Sequence, residues 1–167
     1  MSELRRFRTT DLFRFNNVNL DVLTETVNFT DLFCVQESPS GTIMGYIMGK
    51  AEGRNKDWHG HVTAITVAPE YRRLGLADGM MKLLENVSEK IYDGYFVDLF
   101  VRVSNKVAIG MYKKFGYSVF RRVNGYYSSG DNNEEDAFDM RKPLPRDEKR
   151  ESVIENGENN IVKPEDL

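Results

Sequence analysis

The sequence predicts an α/β fold in which helices flank a mixed central sheet. Two successive strand-like runs, each followed by a helix-like run, indicate this fold. Residues 61–67 are rich in β-branched residues, as strands are. They are followed by apolar residues spaced as on one face of a helix: Met80, Leu83, Leu84, Val87 and Ile91. Residues 96–103 form a second strand-like run, and the helix-like run after it stops at Gly116. This alternation is typical of an α/β sheet.

The N-terminal elements follow from local signals. Thr10 or Asp11 can cap a short helix. Residues 32–37 and 42–51 are both strand-like, and the turn-forming residues 38–41 between them predict a hairpin.

The C-terminal part is expected to add two strands and a tail. Residues 117–123 and 137–140 are strand-like and enclose a polar loop at 124–136. Beyond them the chain is rich in charges of both signs, without aromatic residues or clear periodicity. We therefore expect one domain over residues 1–142 and a disordered charged tail over 143–167. The alternative for the tail is a final helix that docks on a partner.

Composition excludes several classes of protein. The net charge of −3 gives no reason to expect direct binding to nucleic acid. Cys34 is the only cysteine, so neither an intramolecular disulfide nor a cluster of thiolate zinc ligands can form. Its strand-like surroundings predict a buried small hydrophobe. No stretch is long and apolar enough for a membrane span, and the N-terminus lacks the apolar core of a signal peptide. We therefore expect a cytoplasmic protein with no membrane partner.

The loop between the first strand-like run and its helix carries the strongest functional signal. It contains a basic pair followed by small residues: Arg72, Arg73, Gly75, Leu76 and Ala77. Free N–H groups and partial positive charge at a helix N-terminus suit a phosphate group. The glycine spacing is neither that of a P-loop nor that of a dinucleotide-binding motif. The loop therefore predicts another phosphorylated cofactor; the alternative is an ordinary basic turn that caps a helix.

A second segment, residues 104–117, narrows this prediction. Ser104 or Asn105 can cap a helix whose apolar stripe would contain Val107, Met111 and Phe115. The segment fits the pattern Asn-x-x-Ala-x-x-x-Tyr-x-x-x-Gly-Phe/Tyr, and the earlier loop fits Gln/Arg-x-x-Gly-x-Gly/Ala. With both patterns in this order, the chain resembles the GNAT acetyltransferases. The resemblance implies the acyl-CoA N-acyltransferase fold and acetyl-CoA as co-substrate.

Four further strings resemble the catalytic subunits of the NatB N-terminal acetyltransferase. They are residues 11–21, 44–50, 58–63 and 97–105. The resemblance implies transfer of acetyl from acetyl-CoA to the α-amine of chains that begin Met-Asp, Met-Glu, Met-Asn or Met-Gln. It also implies a large helical-repeat auxiliary subunit, nascent-chain N-termini as partners, and work at the ribosome through that subunit.

The same resemblance assigns the residues on the cofactor side. Ile65 and Val67 would lie beside the acetyl group, and the Val67 N–H would steady the oxyanion. Tyr112, which is a core residue in the alternative interpretation, would protonate or hydrogen-bond the departing thiolate. Asn105 would bind the pantetheine arm or only cap its helix. The pyrophosphate contacts would come from the loop: Arg72, Arg73, Gly75, Leu76 and Ala77.

On the acceptor side, the resemblance implies five substrate-binding residues: Glu25, His61, Thr63, Tyr126 and Tyr127. His61 and Thr63 alternate along one strand, so both could face the same groove. An imidazole there would suit a second-residue Asp, Glu, Asn or Gln. The alternatives are a histidine hydrogen-bonded within the fold and tyrosines that only anchor a surface loop. His59 is interpreted as structural support, and two histidines without a third ligand do not predict a metal.

The chain departs from the family pattern after Thr26. A segment that the relatives have there, including a tyrosine, is missing, and it would form one wall of the peptide groove and part of the auxiliary-subunit surface. The alternative to an active enzyme is therefore a shortened, weakly active or non-catalytic acetyl-CoA-binding form. Transfer to lysine side chains or small amines is a third possibility. It is disfavoured because no recognisable acidic base adjoins Val67.

Overall fold

The computed structural model describes residues 2–14, 32–129 and 133–167. Within these ranges the strands are β1 (Glu3–Arg6), β2 (Leu32–Glu37), β3 (Ile43–Glu52), β4 (His59–Val67), β5 (Phe96–Arg102), β6 (Ser118–Ser129), β7 (Asn133–Pro143) and β8 (Ile161–Val162). The α-helices are α1 (Leu76–Lys90) and α2 (Lys106–Lys114). The strands form one 8-stranded sheet in the order β1-β2-β3-β4-β5-β7-β6-β8. It contains parallel and antiparallel pairs, which confirms the predicted α/β class with a mixed central sheet.

The N-terminal elements agree with the local sequence signals except for β1, which the sequence did not predict. β2 has the predicted bounds, and β4 begins earlier than predicted, at His59. The hairpin between β2 and β3 is confirmed, and the Ser38 N–H donates to the Thr42 carbonyl oxygen at 2.9 Å within its turn. The short helix predicted near Asp11 is a 3₁₀ helix over Thr9–Arg14.

The centre of the sheet is split by a wedge-shaped opening between β4 and β5. β4 pairs with β3 from His59 to Val67. Its parallel pairing with β5 is limited to residues 60–62 and 97–99, although both strands continue further. Residues 63–67 are consequently all half-buried, even though β4 is an interior strand. We call this opening, between residues 63–67 and 100–102, the wedge.

One hydrophobic core joins both α-helices to a single face of the sheet. Val97, Leu99 and Val101 supply the β5 face of this core. α1 adds Met80, Met81 and Leu84, and α2 adds Ile109 and Tyr112. Cys34 also lies in this core and is 4% exposed, as predicted for a small hydrophobe. Within the described ranges, neither helix is long and apolar enough to cross a membrane.

Two residues predicted on the apolar helix faces are exposed instead. Ile91 is 70% exposed because α1 has already ended at Lys90. Val107 is 87% exposed because α2 turns Ile109 and Tyr112 toward the core. In so short a helix, two adjacent stripes are nearly equally apolar, and only tertiary packing selects one of them.

The β6–β7 hairpin is longer than predicted, and much of the polar loop expected at 124–136 is strand. Tyr127 pairs with Glu135, so the paired region reaches well beyond Val123. The register shifts between Val123 and Tyr127, where Gly125 has a φ of 61°. Glycine adopts this left-handed backbone without a steric penalty, and such bulges hide the alternation of a strand. Tyr126 and Tyr127 are therefore strand residues, not loop residues.

The tail expected to be disordered over 143–167 is packed on the domain. Leu144 is 6% exposed, and the Asp147 carboxylate accepts the N–H groups of Glu151 and Ser152 at 2.8 and 3.0 Å. Gly157 lies against β6, and β8 pairs with β6 in parallel. Because turns and main-chain bonds order this segment with few apolar residues, a test of hydrophobic periodicity does not detect it.

Candidate active site

The wedge exposes main-chain donors of β4. The Ala68 N–H donates to the Met44 carbonyl oxygen of β3 at 2.9 Å. Successive N–H groups along a strand point to opposite sides, so those of Ile65 and Val67 point away from β3 and into the wedge. In the described structure, the β5 pairing stops before it reaches them. These two predicted residues thus offer hydrogen-bond donors to a ligand in the wedge.

The loop after β4 is arranged to receive an anion. The exposed Arg72 donates from Nε to the Val67 carbonyl oxygen at 3.3 Å, which places its guanidinium beside the wedge. Arg73 is also exposed, and Gly75 adopts a φ of 77° immediately before α1. In the described structure no N-cap side chain bonds the first turn of α1, which includes Leu76 and Ala77. Uncapped N–H groups at a helix N-terminus attract phosphate groups.

α2 contributes a buried phenol near the same opening. Tyr112 is 8% exposed and lies in the core against which Ile65 and Val67 pack. Burial raises the pKa of Tyr112 to about 12. The phenol therefore stays protonated at neutral pH and can donate a hydrogen bond. Asn105 Oδ1 accepts the Ala108 N–H at 3.1 Å, so this residue caps α2, as the alternative interpretation of Asn105 predicts.

The predicted acceptor-side aromatic residues meet on the sheet face opposite the helices. The His61 ring centroid lies 5.9 Å from that of Phe100, and Phe100 stacks on Tyr126 at 4.6 Å. Tyr127 is perpendicular to Tyr126 at 5.0 Å, and the Arg102 guanidinium lies 4.1 Å from the Tyr127 ring centroid. The structure thus brings His61, Tyr126 and Tyr127 into one row of rings.

Thr63, the other predicted substrate-binding residue of β4, lies at an irregularity of the strand. Ala64 pairs with Met48 and Val62 with Gly49, so Thr63 is the extra residue of a β-bulge. Its Oγ1 is buried and lacks a hydrogen-bond partner in the described structure. A buried hydroxyl without a partner is costly and requires an explanation. A ligand group that hydrogen-bonds Oγ1 would supply one. Glu25 and the segment after Thr26 lie outside the described residues.

A buried carboxylate holds His61. The His61 Nδ1 lies 2.8 Å from Asp98 Oδ1, and Asp98 is 4% exposed. Glu52 Oε1 lies 3.7 Å from the same nitrogen. Burial opposes the charged forms of His61 and Asp98, but their hydrogen bond and opposite charges outweigh it. The pKa of His61 is therefore raised and that of Asp98 is lowered.

The histidines have a third potential metal ligand nearby, which the sequence analysis did not foresee. Donor atoms of Glu52, His59 and His61 lie within 4.8 Å of one another. However, the His61 nitrogen on this side is already hydrogen-bonded to Asp98. His59 Nδ1 bonds the Asp57 carbonyl oxygen at 2.5 Å, and its ring stacks on Phe96. We assign the cluster to a hydrogen-bonded network in which His59 has the expected supporting role.

Sequence reasoning did not single out Asp98 or Phe100. The available signal was a carboxylate inside the otherwise apolar run Phe96-Val97-Asp98-Leu99-Phe100. A charged residue at such a position is rarely buried without a partner. The histidine-rich strand that precedes it offered the partner, but the pairing of His61 with Asp98 requires knowledge of the β4–β5 register.

Comparison with known proteins places this geometry in a family. Residues 4–117 match the acetyltransferase (GNAT) family. The chain is 57% identical over 164 residues to N-alpha-acetyltransferase 20 of Dictyostelium discoideum, with 92% of each chain covered. It is 56% identical over 179 aligned positions to the N-terminal acetyltransferase B complex catalytic subunit naa20 of Schizosaccharomyces pombe, with 100% of this chain and 99% of that one covered.

Solved structures agree with the sequence relatives. The crystal structure of Chaetomium thermophilum Naa20 in complex with a bisubstrate analogue gives a TM-score of 0.87 at 42% identity, covering 98% of this chain and 97% of that one. The NatB acetyltransferase complex bound to CoA and MES gives 0.73 at 45% identity, covering 86% and 99%. The chain therefore belongs to the GNAT family of acetyltransferases, and within it to the NatB catalytic subunits. Membership of this family gives no indication of a bound metal.

Proposed function

We propose that the chain transfers acetyl from acetyl-CoA to the α-amino group of protein N-termini that begin Met-Asp, Met-Glu, Met-Asn or Met-Gln. The observation that carries the proposal is the wedge, with the Ile65 and Val67 N–H groups directed into it and the basic loop at its end. An extended pantetheine arm would add hydrogen bonds to the open side of β4, as a further strand would. The pyrophosphate would then meet Arg72, Arg73 and the first turn of α1.

The chemistry requires mainly that the reactants are positioned. An α-amine has a pKa of about 7.7–8.0, so much of it is already neutral and nucleophilic at cellular pH. Its nitrogen attacks the thioester carbonyl carbon, and the Val67 N–H stabilises the resulting oxyanion. As the C–S bond breaks, Tyr112 donates a hydrogen bond to the CoA sulfur, or donates its proton and regains one from water, and the surplus amine proton passes to water.

We expect the acceptor peptide to bind on the sheet face opposite the helices. The buried Thr63 hydroxyl and the His61 ring would contact the side chain of the second residue. Tyr126 and Tyr127 would hold the peptide main chain, and Glu25 would join them from outside the described residues. The side chains of Asp, Glu, Asn and Gln each carry an oxygen that can accept a hydrogen bond, so one polar site could bind all four second residues.

The proposal includes a partner and a location. Similarity to the NatB complex bound to a bisubstrate inhibitor, at a TM-score of 0.82 and 42% identity, supports an auxiliary subunit. We expect that subunit to be a helical-repeat protein that brings the enzyme to nascent chains at the ribosome in the cytoplasm.

The test is acetyl transfer with matched peptides. The chain, alone and with its auxiliary subunit, is mixed with acetyl-CoA and peptides that begin Met-Asp, Met-Asn or Ser-Ala, and CoA release is followed. Release with the first two peptides alone is the expected result. An acetyl-Met-Asp peptide is the control, because its nitrogen is no longer nucleophilic. Release that is equal with all four peptides would contradict the proposal.

A second candidate, a shortened form that binds acetyl-CoA without efficient transfer, has one supporting observation. The alignment with the Schizosaccharomyces pombe relative runs over 179 positions, more than the 167 residues of this chain, so the relative has residues that this chain lacks. Cofactor binding, seen as a rise in melting temperature with CoA, together with no release from any peptide would favour this candidate.

A further inference from the structure

The side chain of Asp98 has an unusual position for a carboxylate. It projects from an apolar strand, is 4% exposed, and lies 2.8 Å from His61 Nδ1. Because an ionised carboxylate can only accept hydrogen bonds, the shared proton must be on Nδ1. Nε2 is then the ring nitrogen that remains for a substrate, and its protonation depends on the charge of the ring.

The charge of His61 decides which second residues it can contact. A charged ring presents an Nε2–H donor, which both a carboxylate and a side-chain amide can accept. A neutral ring that keeps its proton on Nδ1 presents a lone pair at Nε2. That lone pair can accept from an Asn or Gln amide, but it repels the oxygens of Asp or Glu.

Of the charged groups around His61, Asp98 and Glu52 favour the charged ring. From β3, Glu52 faces Nδ1 at 3.7 Å, while Lys50 neutralises its other oxygen at 2.5 Å. From β4, His59 Nε2 lies 3.5 Å from Asp98 Oδ1. From β7, Arg141 lies opposite Asp98, and it is paired with the buried Asp139 at 3.0 Å. Among the described residues, Asp98 makes the shortest of the contacts to His61.

We propose that Asp98 is a positioning residue that keeps the His61 proton on Nδ1 and holds the ring in its charged form, so that Nε2–H can donate to an acidic second residue. The inference rests on the proposed function and adds to it a distinction between substrates with an acidic second residue and substrates with an amide second residue. Acidic second residues require charged His61, whereas amide second residues bind to either form. Asp98 is not expected to touch the substrate.

The first test compares two peptides that differ only in Met-Asp against Met-Asn, using the full chain with its auxiliary subunit. The ratio of their kcat/KM values is measured from about pH 6 to about pH 9, where the substrate Asp stays ionised. The shared α-amine cancels from this ratio. We expect the ratio to fall by about tenfold or more as His61 loses its proton. A ratio that stays constant over this range would overturn the proposal.

The variant Asp98→Asn separates charge from geometry, because Asn can still accept the Nδ1–H. At neutral pH it should lower kcat/KM for Met-Asp by about tenfold and change that for Met-Asn by no more than about threefold. Asp93→Asn is the matched control: its side chain is 76% exposed, and Asn tolerates its φ of 52°. Equal losses of kcat/KM for both peptides in Asp98→Asn would contradict the proposal, because they would show that Asp98 has only a structural role.

A second measurement does not depend on activity. The chain has two histidines, so ring-nitrogen NMR of the labelled full chain resolves both, and a His59→Gln variant assigns them. We expect His61 to keep its Nδ1 proton throughout and to lose its Nε2 proton above the ordinary pKa of 6.5. A proton on Nε2 in the neutral ring would overturn the proposal. If neither peptide is acetylated, both the proposed function and the predicted discrimination between second residues fail. The NMR result then decides alone whether Asp98 keeps the His61 proton on Nδ1.

Discussion

Tyr112 and Asp98 are both buried near the proposed site, yet they are suited to different tasks. Burial raises the pKa of Tyr112 to about 12, so the group remains a neutral donor. Asp98 has a hydrogen bond and the charge of His61 to offset burial, and its pKa is lowered. A fixed neutral donor suits a departing thiolate, and a fixed negative charge suits the orientation of a histidine.

Tyr112→Phe tests the role of the phenol. Because Phe keeps the ring and loses only the hydroxyl, we expect kcat to fall by roughly 10²-fold while the affinity for acetyl-CoA is unchanged. Single-turnover kinetics and calorimetric titration with CoA measure the two quantities. Tyr92→Phe is the control, since the residue lies at the end of α1, away from the wedge. Equal losses of kcat and CoA affinity would assign Tyr112 to packing alone.

Asp11 supplies a residue-scale prediction about acid stability. Arg5 donates two hydrogen bonds of 2.8 Å to its carboxylate, and the Arg8 N–H donates a third at 2.7 Å. These bonds lower the pKa of Asp11 from 3.8 to about 2. A carboxylate whose pKa is lower in the folded state stabilises the fold at every pH above its pKa in the unfolded chain. This stabilisation is lost as the pH falls toward the pKa of the folded state. We expect Asp11→Asn to reduce the free energy of unfolding by about 2 kcal/mol at pH 7.

Urea unfolding measures this difference between the wild type and Asp11→Asn. The difference should persist from neutral pH down to about 3.8 and shrink as the pH falls toward 2. Equal stability of the two proteins at pH 7 would show that the Arg5–Asp11 contact contributes nothing net.

At the scale of elements, the sequence predicted those strands and helices whose own residues show a clear hydrophobic pattern. β2, β4 and α1 are examples, and the loop between β4 and α1 was identified through its own composition. The far part of the β6–β7 hairpin and the packed tail were missed, because a bulge and polar main-chain contacts order them. The Asp98–His61 pair was missed for a related reason, since it depends on which residues of β4 and β5 lie opposite each other.

Gly157→Ala tests whether the tail is held as the structure indicates. A Cβ at Gly157 would lie 2.0 Å from the Val119 carbonyl oxygen, so the backbone must shift. We expect a loss of about 1–3 kcal/mol of stability. Amide exchange should also become faster at Arg122, whose N–H donates to the Asn160 carbonyl oxygen at 2.8 Å. Gly110→Ala is the control, because its Cβ would meet no atom within 4 Å in the described structure. Unchanged exchange at Arg122 in Gly157→Ala would contradict the account.

At the scale of the whole molecule, the two faces of the sheet divide the work. The helix face carries the apolar core that holds β4, β5 and both helices in place. The opposite face carries buried charges and stacked rings, among them Arg141, which lies 4.4 Å from the Phe96 ring centroid and 3.7 Å from that of Phe120. The wedge joins the two faces, so acetyl-CoA and the acceptor peptide would meet where the sheet is open. The family followed from sequence motifs, whereas the contacts among the predicted acceptor-side residues required the fold.

The most direct test of the central claim asks which nitrogen becomes acetylated. One peptide that begins Met-Asp and contains an internal lysine is incubated with acetyl-CoA, the chain and its auxiliary subunit, and tandem mass spectrometry locates the acetyl group. The account predicts a single acetyl group on the α-amine and none on the lysine. Acetylation of the lysine, or an unmodified peptide when CoA binding is intact, would contradict it.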